Sequence, residues 1–212
     1  MARIEDYKNA AEIARKELVS KNPKRLASVC GAIFNAESAD NITLELVFLN
    51  RNILITWPEL RIFYKETQKE LPIQEQVLLL HYMQGCLNGA EITGEWISYQ
   101  DVPDGRFYMD AFIRRAKLPM LKVFGEKPKL LVELAHELYN ASPFDQGDFS
   151  ITFRPLPYVP IVLLIWQGDE EFPPDGNILF DKGIIKILSA EDIAWLSGMV
   201  VYPLIGKARE NS

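Results

Sequence analysis

The chain has 212 residues, of which 48% are hydrophobic and 25% are charged, and its formal net charge is −6. A chain of this length and composition can bury a full core, so we expect a globular domain that needs neither a metal nor a disulfide to fold. Residues 145–192 contain nine acids and three cations, which is the whole net charge of −6. A negative field repels phosphate, so we expect no nucleic-acid partner.

The sequence shows neither a membrane-spanning stretch nor an export signal, so we expect a soluble cytoplasmic chain. The longest apolar stretch, residues 194–206, contains Pro203 and is shorter than the roughly 20 residues that span a bilayer, so we expect a buried helix and no membrane partner. Residues 1–6 enter a charged helical pattern without an export signal. The thiols of Cys30 and Cys86 are therefore expected to be reduced and unbridged.

The N-terminal part of the chain combines helical and alternating patterns. Residues 4–20 have apolar side chains at three- and four-residue spacing, which predicts an amphipathic helix ending at Asn22-Pro23. Alternation over residues 42–57 predicts a β-hairpin turning at 50–52. Residues 72–87 are apolar nearly all round, which is typical of a helix enclosed by the fold.

The C-terminal part is helical first and then β. Two helices are predicted over 107–117 and 129–140. The continuous apolar run at 158–166 predicts a central strand buried on both faces. A turn is predicted at Asp175-Gly176, and Ser189 with an acid three residues later predicts the start of the last helix.

These elements come in blocks and no linker separates them, which favours an α+β fold over a regular βαβ sheet. We expect one domain over residues 1–212. It would have an N-terminal β-hairpin, a central helical block, and a C-terminal strand pair closed by a final helix.

Motifs that identify common enzymes are absent from the sequence. There is no phosphate-binding glycine loop and no nucleophile elbow. The possible soft metal ligands are Cys30, Cys86, His81 and His136. His81 and Cys86 are five residues apart, about 140° round a helix, so we predict no metal site. The sequence identifies no cofactor and leaves that question unknown.

Several polar residues nevertheless stand in apolar surroundings. His81 is interpreted either as a core imidazole with a hydrogen-bond partner or as a ligand-binding or proton-transfer group. Arg154 is interpreted either as one member of a structural ion pair with Asp148, Asp169 or Asp181, or as an anchor for a ligand anion. The acidic run from Asp169 to Glu171 is either a solvated loop or a site for a hard cation, and the loop is favoured.

These residues define a predicted pocket. It would lie where the helix carrying His81 meets the strand ends, with an apolar wall beside the polar groups. Its members are His81, Tyr82, Trp96, Tyr99, Asp148, Arg154, Asp169, Glu170 and Asp181.

A set of short motifs resembles a prokaryotic family of unknown function, DUF3786. The resemblance runs from about residue 5 to 205 and is carried by His81-Tyr82, Gly94-Glu95-Trp96-Ile97-Ser98-Tyr99, Gly105-Arg106-Phe107-Tyr108, Gly147-Asp148, Leu156-Pro157-Tyr158-Val159-Pro160, Trp166, Asp169-Glu170-Glu171-Phe172-Pro173 and Leu179-Phe180-Asp181.

The resemblance implies no established activity. It does imply an association with a cofactor-binding module, because some members are joined to a four-cysteine module like that of corrinoid iron–sulfur proteins. This chain has no C-x-x-C motif and so cannot hold such a cluster with its own residues. Any link to anaerobic corrinoid or iron–sulfur one-carbon metabolism would therefore run through a partner.

Two functions remain open at the level of sequence. The first is a non-catalytic binding or accessory module with a protein partner or a small-molecule ligand. The alternative is a small-molecule enzyme that uses Asp169, Glu170 and Asp181 with His81 for general acid–base chemistry.

Overall fold

A computed structural model describes residues 4–38 and 41–211 of the chain. Residues 1–3, on which the export-signal prediction partly rests, lie outside this range. The fold divides into two compact units. Unit 1 comprises the residues through Glu91 with Leu156–Tyr158 and Lys186–Leu188, and unit 2 comprises Ile92–Pro155, Val159–Ile185 and the residues from Ser189 onward. Within the described ranges, no helix is long and apolar enough to cross a membrane.

Unit 1 contains three helices, α1 (Ile4–Leu18), α2 (Pro23–Cys30) and α3 (Ile73–Cys86). The α2 helix begins at Asn22, whose Oδ1 accepts from the Arg25 N–H at 3.0 Å. Proline is well placed in a first turn because it has no N–H to satisfy there. The helix ends at Gly31, whose φ of 68° lies in the left-handed region that glycine adopts without strain.

The predicted hairpin is present in unit 1 and extends into a four-stranded antiparallel meander. Its strands pair in chain order and are β1 (Ile33–Ser38), β2 (Asn41–Phe48), β3 (Arg51–Trp57) and β4 (Ile62–Tyr64). Leu44 pairs with Ile55 and Leu46 with Ile53, and all four are buried. The alternation that predicts the hairpin therefore marks one apolar face.

The α3 helix is enclosed, as its apolar sequence predicts, and α1 packs against it. A polar network lies within this packing. Gln76 of α3 is buried, accepts from Arg15 of α1, and donates to the Leu71 carbonyl at 2.7 Å. Because both ends of the Gln76 amide have a partner, these hydrogen bonds offset the cost of burying it.

Unit 2 contains a five-stranded sheet in the order β5-β9-β8-β7-β6. The strands are β5 (Trp96–Ser98), β6 (Ser142–Pro143), β7 (Phe149–Leu156), β8 (Val159–Trp166) and β9 (Asp175–Asp181). The prediction that the apolar run is a central strand is confirmed: β8 lies in the middle of the sheet, and its residues through Ile165 are buried. The turn predicted at Asp175-Gly176 is wrong, because Asp175 pairs with Trp166 and the chain reverses over 167–174 instead.

The helices of unit 2 are α4 (Gly105–Phe112), α5 (Leu118–Phe124), α6 (Pro128–Tyr139) and α7 (Ala190–Glu210). The predicted helix end at residue 117 is wrong, because a π-helical turn over Ile113–Lys117 joins α4 to α5. Pro119 has no N–H for the Arg115 carbonyl. In the π turn, the Leu118 N–H bonds to the Ile113 carbonyl, five residues back, and the helical run continues past the proline.

The last helix begins as predicted. The Ser189 side chain accepts from the Asp192 N–H at 3.2 Å, and the Asp192 carboxylate accepts from the Ser189 hydroxyl at 2.6 Å. The chain therefore forms an α+β fold with N-terminal hairpin strands, C-terminal strands and a final helix.

Candidate functional site

Asp181 is the most enclosed acid among the predicted site residues. It ends β9, is 0% exposed, and accepts four hydrogen bonds. The donors are the Thr93 N–H at 3.0 Å, the Thr93 hydroxyl at 3.1 Å, the Gly94 N–H at 2.7 Å and the Gly183 N–H at 2.8 Å. One buried carboxylate thus holds the segment before β5 against the segment after β9.

The hydrogen bonds also set the charge of Asp181. Burial acts to raise the pKa of its carboxyl, but the bonds from Thr93, Gly183 and Gly94 outweigh burial and hold the pKa below its ordinary value. The carboxylate is consequently ionised at neutral pH, with Oδ1 accepting three of the bonds and Oδ2 accepting one.

Asp148 and Asp169 play similar roles in exposed segments. Asp148 accepts from the Gln167 N–H at 2.8 Å, and its own N–H donates to the Ile165 carbonyl at 3.2 Å. Asp169 Oδ1 accepts from the N–H groups of Glu171 and Phe172, each at 2.8 Å, and these bonds lower the pKa of its carboxyl. Asp148 therefore joins the segment before β7 to the segment after β8, whereas Asp169 fastens its own loop at the end of β8.

The remaining charged residues of the predicted site are at the surface. Glu170 is exposed in the loop after β8. Arg154 is the exposed position in the middle of β7. Within the described part of the chain, Arg154 forms no ion pair with Asp148, Asp169, Asp181 or any other acid.

Trp96 and Tyr99 both belong to unit 2 but have different surroundings. Trp96 is half-buried, pairs with Asp181 across β5 and β9, and packs edge-on against Phe144 with ring centroids 5.1 Å apart. Tyr99 is buried, stacks on Phe112 at 4.3 Å, and donates its hydroxyl to the Ala190 carbonyl at 2.7 Å. Tyr99 is therefore a core residue, whereas Trp96 presents part of its ring to solvent.

His81 and Tyr82 belong to unit 1, and both lie on α3. His81 is half-buried and interacts with another residue. Tyr82 is fully buried and donates its hydroxyl to the Cys30 carbonyl at 2.9 Å. Burial and the neighbouring Cys86 raise the pKa of the Tyr82 hydroxyl. Tyr82 thus packs beside the two cysteines as a neutral core residue.

The two cysteines are free thiols and neighbours in the core of unit 1. Cys30 ends α2 and Cys86 ends α3, and both are at most 1% exposed. The Cys30 thiol lies 3.8 Å from the Met83 carbonyl oxygen, one helical turn before Cys86. A hydrogen bond with the Cys86 thiol, together with burial, raises the pKa of Cys30.

We predict that these thiols do not react while the protein is folded. The thiolate is the nucleophile, and both the raised pKa of Cys30 and the burial of the pair disfavour it. Iodoacetamide at pH 7.5 should label neither cysteine in buffer and both in 8 M urea, as counted by intact mass. Labelling of Cys30 without denaturant would contradict this prediction.

A cavity of about 390 Å³ in unit 1, open to solvent on one side, was not predicted. It is lined by Ser20, Lys21, Asn22, Arg25, Leu26 and Leu87. One sequence signal could have found it: between Glu17 and Glu37 the chain has three cations, Lys21, Lys24 and Arg25, and no acid. Such a local charge imbalance is easily missed in a chain whose total charge is negative.

No group of three or more His, Cys, Asp or Glu side chains within residues 4–38 and 41–211 is arranged to hold a metal ion.

The family described as "Domain of unknown function (DUF3786)" matches residues 22–202. The match covers most of the chain, and the chain belongs to this family. Comparison with curated proteins and with solved structures found no match.

Proposed function

We propose that this chain is a non-catalytic binding or accessory module. The observation that carries the proposal concerns Asp181, the enclosed acid. Its carboxylate accepts four hydrogen bonds, and the pKa of its carboxyl lies below the ordinary value. A general acid needs a pKa near the working pH, which requires a raised pKa in a carboxyl group. Asp181 is adapted instead to fasten two segments of backbone.

The other acids support the same conclusion. Asp169 has a lowered pKa and is used by the backbone of its own loop, and Glu170 projects into solvent beside it. The alternative is an enzyme in which Asp169, Glu170 and Asp181 work with His81 as general acid and base. It has less support, because the lowered pKa values of Asp169 and Asp181 make these groups poor proton donors and weak bases at neutral pH.

The four-cysteine module that is joined to some DUF3786 members suggests a first partner to test. Because the chain has no C-x-x-C motif, we propose that it acts in corrinoid or iron–sulfur metabolism through a partner that carries the cofactor. In this proposal the chain contacts the cofactor-carrying protein and does not hold the cofactor.

The test is a binding titration with a purified corrinoid iron–sulfur protein, with free hydroxocobalamin as the control. We expect saturable binding to the protein and none to the free corrinoid. The double variant Asp169→Asn/Glu170→Gln should bind within about twofold of the unmodified chain, because neither side chain is part of a buried network.

Two results would overturn the proposal. Absence of saturable binding to the corrinoid iron–sulfur protein would remove the corrinoid link. A change in the corrinoid absorption spectrum that requires the intact chain and is lost in Asp169→Asn/Glu170→Gln would indicate catalysis in place of a binding role.

A further inference from the structure

We propose that the cavity of unit 1 binds a small organic anion, one with a phosphate or carboxylate group on an apolar body. This inference rests on the proposed binding role and adds the chemical class of a ligand. The cavity lies beside the last residues of α1 and the start of α2, with Leu87, which follows α3, on its wall. Its volume of about 390 Å³ falls in the range of small-molecule sites.

Two of the four polar residues that line this cavity are cations, and both are exposed. Lys21 and Arg25 line it and form no ion pair with any residue the structure describes. Asn22 uses its side-chain oxygen to accept from the Arg25 N–H at 3.0 Å. The Ser20 hydroxyl donates to the Glu17 carbonyl at 2.7 Å. No acid is among the lining residues.

Among the residues the structure describes, the nearest acid in the sequence forms no ion pair with either cation. Glu17, one turn before the cavity, accepts through its carboxylate from the Gln84 side chain. Two neighbouring cations without a carboxylate partner repel each other, and an anion relieves this repulsion. The positive charge comes from the side chains, because the Asn22 cap has already satisfied the Arg25 N–H at the start of α2.

The apolar residues that line the cavity favour a ligand with an apolar part. Leu26 is 0% exposed and forms part of the wall, and Leu87 is half-buried beside it. An inorganic anion would leave these two side chains uncovered, whereas an organic anion would contact them. The planar guanidinium of Arg25 can donate two parallel hydrogen bonds to either a phosphate or a carboxylate.

The experiment compares three probes of similar size by calorimetric titration with the full chain: phenyl phosphate, benzoate and benzyl alcohol. We expect saturable binding of at least one anion and none of the neutral alcohol. Tighter binding of phenyl phosphate would identify a phosphate site, and tighter binding of benzoate would identify a carboxylate site.

The variants make the test specific. Lys21→Ala and Arg25→Ala should each weaken binding of the preferred anion at least about tenfold, the loss expected from one charge-assisted hydrogen bond. Lys24→Ala is the matched control, because Lys24 is an exposed cation on the same turn and does not line the cavity. It should change binding by less than about twofold.

Two outcomes would overturn the inference. One is the absence of saturable binding for both anions, and the other is an equal loss in Lys24→Ala and Arg25→Ala, which would indicate non-specific attraction. If the chain fails these tests but still binds the corrinoid iron–sulfur protein, the anion site is lost and the binding role stands. If it binds the anion but not that protein, the corrinoid link is lost and the anion site stands.

Discussion

Substituting Gly85 by alanine should destabilise unit 1 by at least about 3 kcal/mol, the upper range for overpacking a core. Gly85 lies inside α3, where it is buried. A Cβ atom at this position would lie 1.8 Å from the Ile187 carbonyl oxygen and 2.5 Å from its carbonyl carbon. The obstacle is backbone, so the clash cannot be relieved by rotating a side chain, and either α3 or the segment around Ile187 must move.

The measurement is urea unfolding followed by far-UV circular dichroism. Gly206→Ala is the matched control, because Gly206 also lies inside a helix, α7, but a Cβ atom there meets nothing within 4 Å. Alanine is a better helix former than glycine, so this control should be neutral or stabilised by up to about 1 kcal/mol. Equal stability of the two variants would mean that α3 does not approach Ile187 as described.

The second large effect is expected at Asp181. Replacing it by alanine removes one acceptor and leaves the N–H groups of Thr93, Gly94 and Gly183 without their partner. Gly183 is buried, whereas Thr93 and Gly94 are exposed and their N–H groups can bond to water. An unsatisfied buried donor costs about 1–3 kcal/mol, so the variant should lose about 1–3 kcal/mol of unfolding free energy. Asp145→Ala is the control, because Asp145 is exposed and such changes usually stay within about 0.5 kcal/mol.

The stabilising effect of Asp181 should also depend on pH. Its folded-state pKa is lower than the value of about 3.9 expected in the unfolded chain. The contribution is therefore fully present above that unfolded value and is lost as the pH falls through the lower, folded-state pKa.

Comparing the unmodified protein with Asp181→Asn isolates this effect, since all other carboxyl groups are shared. The difference in their urea midpoints should be large at pH 7 and should shrink progressively below about pH 4. A difference that stays constant down to pH 2.5 would contradict the ionised state of Asp181.

A function for Asp181 follows from these expectations. Its carboxylate joins the segment before β5 to the segment after β9, and so positions the edge strand on which Trp96 lies. We therefore expect Asp181 to affect any surface that includes Trp96 through the backbone and not through proton transfer.

Much of the secondary structure could be predicted because it depends on local patterns. Alternation in β2 and β3 has a period of two that matches one buried face, and the continuous apolar run of β8 reflects burial on both faces. Helix starts such as Ser189 depend on hydrogen bonds within four residues. Errors arose where non-local bonding overrode a local signal, as at Asp175, which looks like a turn residue and pairs with Trp166.

The predicted site could be identified only as a set of residues. The sequence indicates that Asp181 is polar in an apolar segment, but not that residues 93 and 94 donate to it, because partners 88 and 87 positions away leave no local pattern. The same reason explains Tyr82, Cys30 and Cys86, whose contacts join the ends of two helices.

By itself, the sequence determined the α+β class, the order of most helices and strands, the central position of β8 in the apolar core, and the family. Each of these follows from composition or from spacings of a few residues, where covalent geometry ties pattern to structure. Only the tertiary structure decided that the Asp181 carboxylate binds the backbone of residues 93 and 94, that the two thiols are neighbours, and that Lys21 and Arg25 share a cavity. These features depend on contacts between segments distant in the chain, or on the space left when those segments pack, and no periodicity records either.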